Sequence, residues 1–140
     1  MAEAKTKPTK ASVTQFMAKV SPAQRRLDAL AVLKIMKRAT GEKPVLWGPS
    51  IVGFGRSLIK YAGGRTVEWP MVGFSPRKTS LVFYGLRASP RHAALVARLG
   101  KSKTGGGCLY INTLADVDLS VLEELILTAT EKIRSKRAAD

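Results

Sequence analysis

The chain has 140 residues, 45% of them hydrophobic, enough for one domain with a real core and too many for a wholly disordered chain. It carries 24 Lys and Arg against 10 Asp and Glu, a net charge of +14, so its surface attracts anions such as nucleic acid, acidic protein or small phosphates. No apolar run approaches the ~18 residues of a membrane span, and one histidine with one cysteine, Cys108, excludes an internal disulfide and a structural zinc site.

The start, MAEAKTKPTK, lacks an apolar signal segment, and a lone cysteine suits a reducing compartment, so a cytoplasmic protein is expected. Residues 1–11 are polar, with Lys5, Lys7 and Lys10 around Pro8, and read as a disordered basic tail before a single domain spanning 12–137. Ser12 and Gln15 form a capping box that opens a short helix through Phe16 and Met17 to Val20. Ser21-Pro22 starts the next helix, with Ser as its cap, and Gly41 stops it after Thr40. Ala29, Val32, Leu33 and Met36 fall on one face of that helix. Leu27, Leu30, Ala31 and Ile35 make a second apolar strip, which predicts a helix sandwiched between a sheet and another helix.

The middle of the chain predicts β structure. Ile51 to about Tyr61, a turn at Ala62-Gly63-Gly64-Arg65, and Thr66 to Phe74 read as one antiparallel hairpin. Ser75-Pro76-Arg77-Lys78-Thr79 is a turn, and Leu81 to Tyr84 a further strand. Ser89-Pro90 opens a helix through Ala93, Leu95, Val96 and Leu99 that stops at Gly100. A glycine loop then leads into a short buried strand, Cys108 to Ile111. The last helix begins near Asp118 or Ser120, with Leu122, Ile126, Ala129 and Ile133 as its apolar stripe. Helices, then strands, then a helix predict an α+β fold: an antiparallel sheet of about four to five strands packed against N-terminal helices and a long C-terminal helix.

The positive charge is uneven. Residues 1–40 hold nine bases and two acids, residues 41–107 eleven and two, and residues 108–140 four and six. Gly100-Lys101-Ser102 is no P-loop, because Leu95 stands where the first glycine belongs and a helix, not a strand, precedes the loop. Lys101, Lys103 and Thr104 beside Gly105 instead offer ammonium and backbone N–H groups to an anion. Arg77 and Lys78 make a second basic turn. Both segments flank predicted strands, so they are expected to converge on one anion-accepting surface. The competing expectation is two solvated turns whose glycines serve the backbone alone. Trp47, Trp69 and Tyr110 are candidates to line a ligand cleft, although such aromatics more often fill cores. Cys108 is expected in a buried strand, acting as a small hydrophobe, and His92 exposed near a helix start. No acid, base and nucleophile set converges, so no catalytic residue, cofactor or metal is expected.

Three segments are familiar in combination. Trp47-Gly48-Pro49-Ser50-Ile51-Val52-Gly53-Phe54-Gly55 resembles a signature of the YdhG-like family, a bacterial domain family with no generally assigned reaction. So does the segment from Trp69 to Lys78, and so does Leu99 to Gly105 followed by Cys108-Leu109-Tyr110-Ile111. The resemblance covers about residues 12–135 and implies a small α+β fold with helices packed on an antiparallel sheet. Some relatives look frataxin-like and are linked to intracellular iron delivery, which implies clustered carboxylates; Asp116, Asp118, Glu123 and Glu124 are the candidates here. Close relatives also look richer in tyrosine and histidine where this chain has Arg56, Ser57, Leu58 and Ile59.

The expected function is a non-enzymatic binding domain whose basic loops take a small anionic ligand or an acidic protein surface. A nucleic-acid accessory protein that binds without sequence preference is the second expectation, supported by the net charge of +14 and opposed by an aromatic content of only 6%. A frataxin-like iron chaperone and an enzyme are the remaining ones.

Overall fold

Local signals set most of the element ends, and the computed structural model describes residues 7–60, 63, 64 and 66–139. Helix α1 (Val13–Ala18) opens where Ser12 Oγ accepts the N–H of Gln15 at 3.1 Å. Helix α2 (Ala23–Thr40) stops at left-handed Gly41, with Lys37 and Arg38 in its last turn against the dipole. Its cap is Pro22 rather than Ser21, one residue later than the sequence signal. Helix α3 (His92–Leu99) follows Ser89, whose Oγ accepts the N–H of Arg91 at 3.1 Å. Helix α4 (Leu119–Ala139) is capped by Asp118, which accepts the N–H of Ser120 at 2.9 Å and of Val121 at 3.4 Å. Among the described residues no helix is long and apolar enough to cross a membrane.

The main sheet is antiparallel and six-stranded, one strand more than the upper expectation. It contains β1 (Pro44–Trp47), β2 (Ile51–Phe54), β5 (Val72–Pro76), β6 (Leu81–Tyr84), β8 (Cys108–Ile111) and β7 (Lys103–Gly105), in that spatial order. Strands β1 (four residues) and β7 (three residues) were not expected; β1 lies beside Gly48-Pro49, and β7 runs into the glycine loop, where turn signals outweigh a short strand pattern. The single long hairpin expected from Ile51 to Phe74 is instead two. Its inner part pairs β2 with β5; its outer part, β3 (Ser57–Lys60) with β4 (Thr66–Trp69), leaves the sheet as a separate two-stranded arm. The break lies at Gly55, where φ is +71° and an added Cβ would stand 2.2 Å from Met71 Cε, and at Pro70 on the returning side. Of the expected hairpin, residues 61, 62 and 65 lie outside the described residues.

All four helices contribute to one core cluster on one face of the sheet. Met17 comes from α1, Val32 and Met36 from α2, Leu95 and Leu99 from α3, and Leu122, Leu125 and Ile126 from α4. They cover Leu46, Val52, Phe54, Phe74, Phe83 and Leu109 of the strands. Each of the fully buried phenylalanines contributes roughly 2–3 kcal/mol by leaving water. The expected sandwich around α2 is not formed. The helix lies beside α4 in one layer on the sheet, so Leu27 and Leu30 stay 60% and 40% exposed. On the opposite face of the sheet Trp47, Val82 and Ser75 are buried as well.

Two polar contacts position the layers. Buried Asp28 of α2 accepts the N–H of Leu114 at 3.1 Å and the hydroxyl of Thr113 at 3.3 Å, clamping the helix to the turn that precedes α4. At the N-terminus, Thr9 N donates to Leu46 O at 2.9 Å and Gly48 N to Lys7 O at 2.9 Å. Residues 7–9, expected in the disordered tail, thus pair along the edge of β1. The backbone supplies those bonds, which composition does not reveal. Residues 1–6 of the expected tail lie outside the described residues.

Candidate functional site

Strand register sorts the aromatic residues by chemistry. Phe54, Phe74 and Phe83 point into the helix-covered core. Alternation places their neighbours on the other face, where Lys103 pairs with Tyr110, Tyr110 with Val82, and Val82 with Ser75; Lys103, Tyr110 and Tyr84 open it to solvent, whereas Val82 and Ser75 are buried. Trp47 pairs with Ile51, and Tyr84 with Gly73, on that same face. Trp69, at the end of β4, meets Tyr84 edge-on with ring centroids 6.4 Å apart. The described tryptophans and tyrosines, aromatics with a polar atom, thus gather away from the core.

Arg77 belongs to this face. Two residues beyond Ser75, it sends Nη2 back over the strand to donate to Tyr84 Oη at 3.0 Å. Burial holds the Tyr84 phenol above its ordinary value, and the Arg77 charge only partly offsets that. The phenol therefore stays neutral at neutral pH and accepts the Arg77 hydrogen bond. Lys103 stands exposed on β7, two strands from β6, or roughly 10 Å of sheet. The open-face positions of the six-stranded sheet hold no carboxylate.

The two basic loops do not meet as wholes. The turn with Arg77 and Lys78 lies at the end of the sheet where β8 leaves, and Arg25 ties that end together by donating to the carbonyls of Asn112 and Lys78. The turn after Gly105 lies at the opposite end, because Gly105 pairs with Cys108. Gly106 and Gly107 have φ of +58° and +85°, as a two-residue hairpin turn of type I′ demands, so these glycines serve the turn. Antiparallel β7 carries Lys103 back toward the Arg77 end. Thr104, paired with core-facing Leu109, takes the helix-side face, and Lys101 donates its N–H to Asp116 O at 3.3 Å beyond the strand. Lys78 lines a recess of about 440 Å³ together with Arg77, Ser75, Phe16 and Lys19.

The cleft candidates separate similarly. Trp47 is 1% exposed and lies over Gly53, where an added Cβ would meet its ring at 2.6 Å; it is chiefly a packing residue. Tyr110 is half-buried on the open face. Trp69 lines a cleft of about 420 Å³ between the β3–β4 arm and the end of α4. Cys108 corrects an expectation: it is half-buried on the open face and not in the core, because the alternation of β8 sends Leu109 and Ile111 inward instead. His92 is also half-buried, with Nε2 lacking a hydrogen-bond partner, and burial together with Arg87 holds its pKa below the ordinary value.

The acids expected as an iron cluster are spread over different tasks. Asp118 caps α4, Glu123 takes a bidentate pair of bonds from Arg38 at 2.7 Å, and Glu124 pairs with Arg91. Among the described residues no three His, Cys, Asp or Glu side chains gather as metal ligands do. Tyr84 escaped the sequence analysis, although its place in Leu81-Val82-Phe83-Tyr84, one residue from core-facing Phe83, was a signal that it faces outward. No family model, curated protein or solved structure matches the chain.

Proposed function

We propose that this chain is a non-catalytic binding module, akin to the YdhG-like domains, whose open sheet face accepts an anionic ligand or an acidic partner in the cytoplasm. One observation carries the proposal: Arg77 donates to Tyr84 on the sheet face that also carries Tyr110 and Lys103, and the strand positions of that face bear no carboxylate. Lys78 shares a recess with Arg77, and Lys101 adds charge beyond β7 at the same end of the sheet. The α+β architecture and the three sequence motifs support the kinship.

Tripolyphosphate at 100 times its dissociation constant should stabilise the fold by ~2.7 kcal/mol, roughly 10 °C in Tm for this size. Arg77→Ala or Lys103→Ala should shrink that shift, whereas Lys34→Ala on the helix side should leave it. Equal losses at all three would mean diffuse attraction to the net positive charge. The gathering of tyrosines and Trp69 favours one further reading, single-stranded nucleic acid stacked on the face, since stacking contributes about 1–3 kcal/mol per base. Tyr110→Ala would then weaken binding of a thymidine oligomer and leave tripolyphosphate untouched.

A further inference from the structure

The cleft beneath the β3–β4 arm has a composition unlike the sheet face. Leu58, Trp69, Pro70, Met71 and Ile133 supply its apolar walls, and its volume of about 420 Å³ falls in the range of small-molecule sites. Leu58 is 65% exposed, a leucine held in water on an arm that has left the sheet. Trp69 is fixed from one side by its edge contact with Tyr84. Opposite stand Lys132 and Lys136, one helical turn apart on α4, so their ammonium groups repel one another. No carboxylate lines the cleft, and neither lysine has a carboxylate partner among the described residues.

An apolar wall facing two unneutralised cations selects a ligand with an apolar body and one anionic head. We propose that this cleft binds a medium-chain carboxylate, its chain against Leu58, Trp69 and Met71 and its head between Lys132 and Lys136. Cations are repelled, and a neutral alcohol of equal length leaves both charges uncompensated. Trp69 borders both this cleft and the sheet face, but Lys132 and Lys136 belong to the cleft alone, and tripolyphosphate has no apolar body to fill it.

The test uses the full chain labelled with fluorotryptophan, whose fluorine resonances report Trp47 and Trp69 separately; Trp69→Phe identifies the second. Octanoate, below its micelle threshold, should move the Trp69 resonance saturably and leave buried Trp47 in place. Lys132→Ala with Lys136→Ala should weaken octanoate binding about tenfold, as expected for two exposed charge contacts, and 1-octanol should bind the native chain correspondingly more weakly than octanoate. A Trp69 resonance that never saturates, movement of both resonances together, or equal octanoate affinity in the lysine double variant would overturn the site.

Discussion

Replacing Asp28 tests whether one buried carboxylate clamps the two helical segments together. Its Oδ2 accepts the Leu114 N–H at 3.1 Å and the Thr113 hydroxyl at 3.3 Å, and its Oδ1 accepts Gln24 Nε2 at 3.0 Å. Asp28→Ala removes these charge-assisted bonds and strands the buried Leu114 N–H, each effect costing about 1–3 kcal/mol. Relief of the carboxylate's desolvation offsets part of that, because the residue is only 7% exposed. The net loss should be about 2–3 kcal/mol, or roughly 10 °C in Tm. Asp28→Asn keeps one oxygen for Leu114, and Gln24 can turn its own amide oxygen toward the new NH₂, so the loss should be about 1 kcal/mol. Urea unfolding followed by circular dichroism measures both, with an unchanged m-value showing that the native state remains compact. An alanine variant within about 0.5 kcal/mol of the native chain would refute the clamp. So would an asparagine variant as damaged as alanine, since bond geometry would then not be what matters.

Three further outcomes are expected. Gly85→Ala puts a Cβ 2.2 Å from Met71 O at φ +86°, whereas Gly107→Ala at φ +85° meets nothing within 4 Å. The first should cost well over the ~1 kcal/mol of left-handed strain that the second bears, and equal costs in thermal melts would discount the close approach. The His92 pKa is held below its ordinary 6.5, so the unfolded chain binds the proton more readily. Stability is full above about pH 6.5 and falls as pH drops through the folded value, and His92→Asn should flatten that slope in urea titrations between pH 7.5 and 5. Cys108, half-buried beside Tyr84, should react with a thiol reagent in the native state, and Cys108→Ser should cost under ~1 kcal/mol; protection until unfolding would place the thiol in the core.

Helix ends and turns were legible in the sequence because they depend on groups a few residues apart. Ser12 reaches the N–H of Gln15, Gly41 ends α2, and the Ser-Pro and Asp-Leu-Ser signals fall within a residue or two of the observed starts. The α+β class followed from the order of those elements. What the sequence could not show depends on which strand neighbours which. Leu27 and Leu30 look as apolar as Val32 and Ile35, and only the side-by-side packing of α2 and α4 decides which pair meets water. The long hairpin looks continuous until Met71 approaches Gly55 and the arm swings out to make a cleft with α4. Arg77 and Lys103 came from two loops expected to meet whole, but register brings the two residues to one face while sending Gly105 to the far end of the sheet. Side-chain direction alternates with every residue, so the face a residue serves is decided by tertiary pairing, beyond the reach of local spacing.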